Sequence, residues 1–120
     1  MRKPKLLVYG GKNIFYMDFS GLKDINDIKH LISLSAEYIR SQPESSLLTL
    51  TNLKDMHFNS EVKHEFSEFI KGNKPHIKAS AVTGLSGLQR IIYNGLMKIT
   101  GRDIRSFENI NVAKDWLISK

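Results

Sequence analysis

The sequence predicts an α/β domain with a mostly parallel sheet and the element order β-β-α-β-α-β-α-β-α. Short runs of β-type residues alternate with longer runs that have helical periodicity. The stretch 78–102 (KASAVTGLSGLQRIIYNGLMKITGR) contains a strand, a tight turn and a capped helix in sequence. The run 46–52 (SLLTLTN) is almost continuously apolar, which is typical of a strand covered on both faces. Such alternation requires mainly parallel strands joined by crossover helices.

Size and composition limit the classes of protein that this chain can belong to. At 120 residues it predicts one domain, 1–120, able to bury about two-thirds of its unfolded surface. The absence of cysteine excludes disulfides and thiolate chemistry, and it fits a cytoplasmic location. The basic start MRKPK is followed by an apolar run too short for a signal peptide, and no run is long enough to span a membrane.

The first forty residues predict a hairpin and a helix. The runs 5–9 and 13–19 are separated by Gly10-Gly11-Lys12, a hairpin signal, and form the antiparallel edge of the sheet. A helix follows over 24–40, with Asp24 as its cap and Pro43 beyond its end. Its predicted buried stripe consists of Ile25, Ile28, Leu31, Ile32, Leu34, Ala36 and Ile39.

Three further helices are predicted in the rest of the chain. The second runs from Asn59 or Ser60 to about Lys71, and its buried residues are Val62, Phe66, Phe69 and Ile70. The third starts at Ser86, which forms an S-x-x-Q capping box with Gln89, and apolar residues recur at helical spacing at Leu88, Ile91, Ile92, Gly95, Leu96 and Ile99. After a short strand at 104–107, Asn109 caps a last helix that buries Val112, Ala113, Trp116 and Leu117.

The residues do not form a recognisable catalytic or metal-binding pattern. The turn Gly84-Leu85-Ser86-Gly87-Leu88 is close to the G-x-S-x-G motif, but all four histidines precede Ser86, whereas the hydrolase order requires one after it. The histidines also lack metal-ligand spacing. We therefore predict a protein that is not an enzyme, with no catalytic residues, metal or cofactor, and the simplest role for Ser86 is a helix cap.

The starts of the second and third helices are candidate sites for a small anion. Free backbone N–H groups and the helix dipole favour negative charge at a helix start. The candidate residues are Asn59, Ser60, Gly84, Ser86 and Gly87. Neither of the glycine-rich phosphate-binding motifs, G-x-x-x-x-G-K-[ST] and G-x-G-x-x-G, occurs in the chain.

The third helix is more apolar than one buried face requires, which predicts a second role for it. Tyr93 and Met97, with Arg90 on the same line, are a candidate exposed patch for a protein partner, a second copy of the chain or a lipid. The simpler alternative is a helix deep in a small core. The net charge of +6 includes a basic segment at 86–105, but Tyr93 is the only aromatic among the charges of this helix. Nucleic-acid binding is therefore the weaker alternative.

Nearly the whole chain resembles small bacterial STAS-like proteins, which have the fold of anti-sigma-factor antagonists and are sometimes grouped with CRAL-TRIO lipid-transfer domains. The resemblance rests on Tyr16-x-Asp18-x-Ser20-Gly21-Leu22, Asn73-Lys74-Pro75, Lys78-Ala79-Ser80-Ala81-Val82, Gly84-Leu85-Ser86-Gly87-Leu88, Gly101-Arg102 and Ala113-Lys114-x-Trp116-Leu117. It implies a mixed sheet surrounded by helices and no established activity. We predict a regulatory or protein-interaction module of this type. A carrier or sensor of a small lipid-like ligand is the alternative.

The resemblance also directs attention to one serine. Antagonists of this type carry a phosphorylatable serine in a D-S-[SA]-G turn, after the central strand and at the start of the next helix. The corresponding stretch here is 51–60 (TNLKDMHFNS), where only Asn59 or Ser60 occupies that place and the motif itself is absent.

Overall fold

The structure is a computed structural model that describes residues 2–120, and it contains five strands and four α-helices. The strands are β1 (Lys5–Tyr9), β2 (Lys12–Asp18), β3 (Leu47–Asn52), β4 (Ile77–Thr83) and β5 (Arg105–Phe107). The helices are α1 (Ile25–Arg40), α2 (Ser60–Asn73), α3 (Gly87–Thr100) and α4 (Ile110–Ile118), with a 3₁₀ turn at Lys74–His76. This confirms the predicted fold class and element order, with boundaries that differ by one or two residues.

The strands follow one another in the sheet in the same order as in the chain. Strand β1 is antiparallel to β2, and β2, β3, β4 and β5 are parallel. When successive crossover connections have the same hand and each moves one strand further in the same direction, their helices lie on the same face of the sheet. Accordingly α1, α2 and α3 lie together on one face, while α4 packs on the other.

The sheet separates two apolar cores. The larger core lies under α1, α2 and α3 and includes Phe15 and Met17 from β2 and Phe19 directly after it. The smaller core lies under α4 and joins Ile14, Leu50 and Leu117. Within β2, Ile14 faces the smaller core and Phe15 and Met17 face the larger one, because alternate side chains of a strand point to opposite faces of the sheet. Strand β3 contributes to both cores, which confirms it as the doubly covered strand.

Helix α3 differs from its predicted orientation. Leu96 is buried, as its place in the apolar repeat suggests, but Leu88, Ile91 and Ile99 are 69%, 70% and 64% exposed. The buried side of α3 instead includes Gln89, because this side chain bonds to the loop before α2. In α4, Val112 is likewise exposed, and Ala113 and Leu117 form the buried contact.

None of the helices within residues 2–120 has the length and apolar character needed to cross a bilayer.

Candidate functional site

The candidate anion-binding residues lie at one edge of the sheet. Asn59 and Ser60 follow β3 and begin α2, while Gly84, Ser86 and Gly87 follow β4 and begin α3. Strands β3 and β4 are parallel neighbours, so their carboxyl ends meet at the same edge. The tertiary structure therefore places two helix starts side by side, although more than twenty residues separate them in the chain.

Gln89 joins these two helix starts. Its side-chain Nε2 donates to the carbonyl of Met56, in the loop before α2, at 2.8 Å. Its Oε1 accepts from the backbone N–H of Ser86 at 3.3 Å, which is the return bond of a capping box. The sequence predicts the contact with Ser86 but contains no signal for the contact with Met56, because that bond spans 33 residues.

Replacing Gln89 with leucine is expected to destabilise the protein by about 1–3 kcal/mol, because a buried carbonyl loses its donor. Chemical denaturation measures the change. The matched control is Asn94→Leu, an exposed position of the same helix, where a change within about 0.5 kcal/mol is expected. Equal effects at the two positions would contradict the bridging role of Gln89.

Gly84 has a structural reason to be glycine. Its φ is +84°, and a Cβ there would lie 2.5 Å from the backbone nitrogen of Lys54. The same stretch of chain is held by backbone bonds from Leu53 N to Thr83 O (2.9 Å) and from Gly21 N to Lys54 O (2.8 Å). The loops after β2, β3 and β4 are thus packed backbone to backbone, and this packing accounts for Gly84 without a bound anion.

Apart from Gly84, the candidate residues at both helix starts are exposed. Asn59 caps α2, and its Oδ1 accepts from Val62 N at 2.9 Å. Ser60 is exposed at the first position of that helix. At α3 both Ser86 and Gly87 are exposed, and a Cβ at Gly87 would meet nothing within 4 Å. The anion site at either start stays a prediction.

Tyr93 and Met97 are less exposed than the predicted patch suggests, and their role at an interface stays a prediction. Both side chains are half-buried and pack against the larger core. Arg90 alone of the three is exposed, and its guanidinium lies 3.4 Å from the hydroxyl of Ser106. The reason is the rotation of α3 about its axis, which turns Tyr93 and Met97 towards the sheet and leaves other apolar residues outside.

A small apolar cavity lies beneath α3. Its volume is about 40 Å³, and it is lined by Tyr93, Met97, Phe58, Phe66 and six other residues. A second cavity of about 20 Å³ lies nearby and is lined partly by Arg102 and Ser80. Each has room for about one or two water molecules and is far smaller than a typical ligand pocket.

Arg102 belongs to a series of hydrogen-bonded polar side chains that extends into the larger core. Its guanidinium donates to Ser80 Oγ at 3.1 Å and to the carbonyl of Ile70. The hydroxyl of Ser80 lies 2.6 Å from that of Thr49, and both of these side chains are buried. Burial lowers the pKa of Arg102 from its ordinary value, while the neighbouring Tyr93 acts in the opposite direction. These hydrogen bonds give partners to polar groups that would otherwise be unpaired in the core.

Burial and, to a smaller extent, the negative charge of Asp103 raise the pKa of Tyr93 to about 12. The neutral phenol is thus favoured in the fold, and its contribution to stability is fully present below pH 10, the pKa of an ordinary tyrosine. We expect this contribution to disappear as the pH rises from 10 to 12. The pKa values of Tyr9 and Tyr16 are also raised, the first mainly by its hydrogen bond to Asp115 and the second mainly by burial. In an absorbance titration of the phenolates, we expect Tyr93→Phe to remove the tyrosine that ionises at the highest pH. An unchanged last ionisation step in that variant would contradict the assignment.

The other chemistry-bearing side chains are dispersed. Within residues 2–120 no three histidine, aspartate or glutamate side chains are grouped closely enough to hold a metal ion. The histidines at 57 and 76 bond to Asn59 Nδ2 and to the carbonyl of Gln42, not to Ser86. In doubly wound proteins, ligands usually bind in the crevice where the strand order reverses. The five described strands have no such reversal. What the structure does expose is the apolar outer side of α3.

Comparison with known proteins adds no relative to this description. No protein-family model matches the chain, and neither the curated proteins nor the solved structures contain a match to it. The function of this chain is therefore inferred from its own residues and geometry.

Proposed function

We propose that this protein is a non-enzymatic interaction module of STAS type and that the outer face of α3 is its contact surface. The single observation that carries the proposal is the exposure of Leu88, Ile91 and Ile99 on one face of that helix. Isolated exposed aliphatic residues are common, but three on one face of one helix favour a surface of the kind used for partners. The α/β fold is compatible with the STAS-like resemblance, which rests on the motif residues alone.

The surroundings of α3 favour a protein partner over nucleic acid. Arg90 and Lys98 are exposed and basic, but the stripe of exposed residues beside them is aliphatic. Tyr93, the aromatic residue of α3, is half-buried against the core. Single-stranded nucleic acids need accessible stacking platforms, and α3 offers aliphatic side chains instead.

A photo-crosslinking amino acid at Ile91 tests the proposal in the cells that produce the protein. We expect a discrete crosslinked protein from this position, and none from the same group at Val112. Val112 is the matched control because it is also exposed and aliphatic but lies on α4, across the sheet. Ile91→Asp should abolish co-purification of the same protein without lowering the unfolding temperature. Equal products from both positions, or none from Ile91, would contradict the proposal.

A carrier or sensor of a small apolar ligand is the second candidate, favoured by the apolar cavity beside Tyr93, Met97 and Phe66. A lipid would require α2 and α3 to separate, because about 40 Å³ accommodates no acyl chain. Native mass spectrometry of protein purified from its own host distinguishes this candidate. A stoichiometric co-purifying small molecule supports it, and a chain without added mass contradicts it.

A further inference from the structure

Gly95, in the middle of α3, has no structural role that requires glycine. Its φ lies outside the left-handed region, unlike that of Gly84 or Gly101. A Cβ built at Gly95 would meet nothing within 4 Å apart from the helix itself. Glycine inside a helix destabilises it relative to alanine. The fold of this chain therefore gives no reason for the residue, whereas close approach of another molecule does.

The surroundings of Gly95 have the form of a notch. Ile91 and Ile99 stand four residues before and after it, on the same face of the helix, and are 70% and 64% exposed. Eight residues correspond to about 12 Å along a helix axis. The two isoleucines thus form the walls of an apolar gap whose floor is the backbone at Gly95, and Leu88 extends the surface by a further turn.

The charged residues beside the notch indicate which kind of partner would bind there. Arg90, Asn94 and Lys98 are exposed and follow one another at intervals of four residues, so they form a polar row beside the apolar stripe. The helix contains no aspartate or glutamate among its 14 residues. A second copy of the chain would bring like charges together, which disfavours self-association. A complementary occupant has apolar residues for the notch and acidic residues for the row.

We propose that the outer face of α3 binds an amphipathic helix of a partner protein, with an apolar side chain of that helix inserted over Gly95 and acidic residues against Arg90 and Lys98. This inference deepens the proposed function and rests on it. Packing of side-chain ridges into the grooves of a facing helix needs a shaped surface, and small residues at the contact allow closer approach. A fluid lipid surface would make contact with the same isoleucines but has no need of the notch.

The test uses two designed peptides that share a leucine stripe and differ only in flanking glutamates or lysines. They are titrated into the isotopically labelled full chain and followed by backbone amide shifts. We expect the acidic peptide to shift the amides of Ile91, Gly95 and Ile99, and the lysine peptide to bind at least tenfold more weakly. Phosphatidylcholine vesicles containing phosphatidylglycerol are the lipid probe, and tighter binding to them than to the acidic peptide would overturn the proposal.

The decisive variants are Gly95→Ala and Gly95→Leu, which fill the notch without touching the core. Gly95→Ala should raise the unfolding temperature, because alanine is the better helix former. The same substitution should nevertheless lower the affinity for the acidic peptide about fivefold or more. Gly95→Leu should weaken it further. Binding unchanged by both variants, or no binding of the acidic peptide to the unmodified chain, would overturn the inference. In either case a crosslinked partner at Ile91 would leave the proposed function standing, so the two failures are distinguishable.

Discussion

Gly84→Ala is expected to destabilise the protein by about 2–5 kcal/mol, the largest effect of any glycine substitution here. Two costs combine at this position. The φ of +84° is a left-handed conformation that alanine adopts poorly. A Cβ would also lie 2.5 Å from Lys54 N and 2.8 Å from Lys54 Cα, and a backbone cannot move aside as the end of a flexible side chain can. Chemical denaturation measures the loss.

The matched control for this prediction is Gly21→Ala. Gly21 also has a positive φ, +71°, but a Cβ there would meet nothing within 4 Å. Its substitution isolates the conformational cost, which we expect to be about 1–2 kcal/mol. The difference between the two variants measures the close approach between the loops after β3 and β4. If both variants lose the same stability, the tight contact at Lys54 is not present in solution.

Leu50→Ala is expected to cost about 2–5 kcal/mol, because Leu50 is completely buried in the smaller core, where truncation leaves a cavity. The same substitution at Leu88, which is 69% exposed, should change stability by no more than about 0.5 kcal/mol. Thermal or chemical unfolding of the two variants side by side provides the comparison.

This pair also tests the arrangement of layers. Leu50 packs near Ala113 and Leu117 only if α4 covers the second face of the sheet. A small loss for Leu50→Ala would indicate that α4 does not cover β3. A large loss for Leu88→Ala would place α3 in a different rotation and remove the exposed stripe on which the proposed function rests.

The amphipathic patterns predict most of the fold correctly because they are local. Residues of α2 that recur at helical spacing, Val62, Phe66, Phe69 and Ile70, are all buried. The run in β3 is apolar on both sides because helices cover both faces of the sheet there. Two caps, Asp24 for α1 and Asn59 for α2, are also in the positions that the sequence predicts.

The prediction fails where a helix has more apolar residues than one face can bury. In α3 the sequence offers two candidate faces and contains nothing that chooses between them. The choice depends on contacts far along the chain, such as the bond from Gln89 to Met56 and the packing of Tyr93 and Met97 against the larger core. A hydropathy pattern gives the period of a helix but not the partners that it meets.

By itself, the sequence determined the fold class, the order of the elements, their caps and the covering of β3 on both faces. These features follow from backbone propensity and from periodicity, which act over a few residues. Only the tertiary structure decided which side of α3 faces water, that Gln89 joins two helix starts, and that Gly84 packs against a distant backbone. Those features depend on contacts between residues tens of positions apart, which no local pattern encodes.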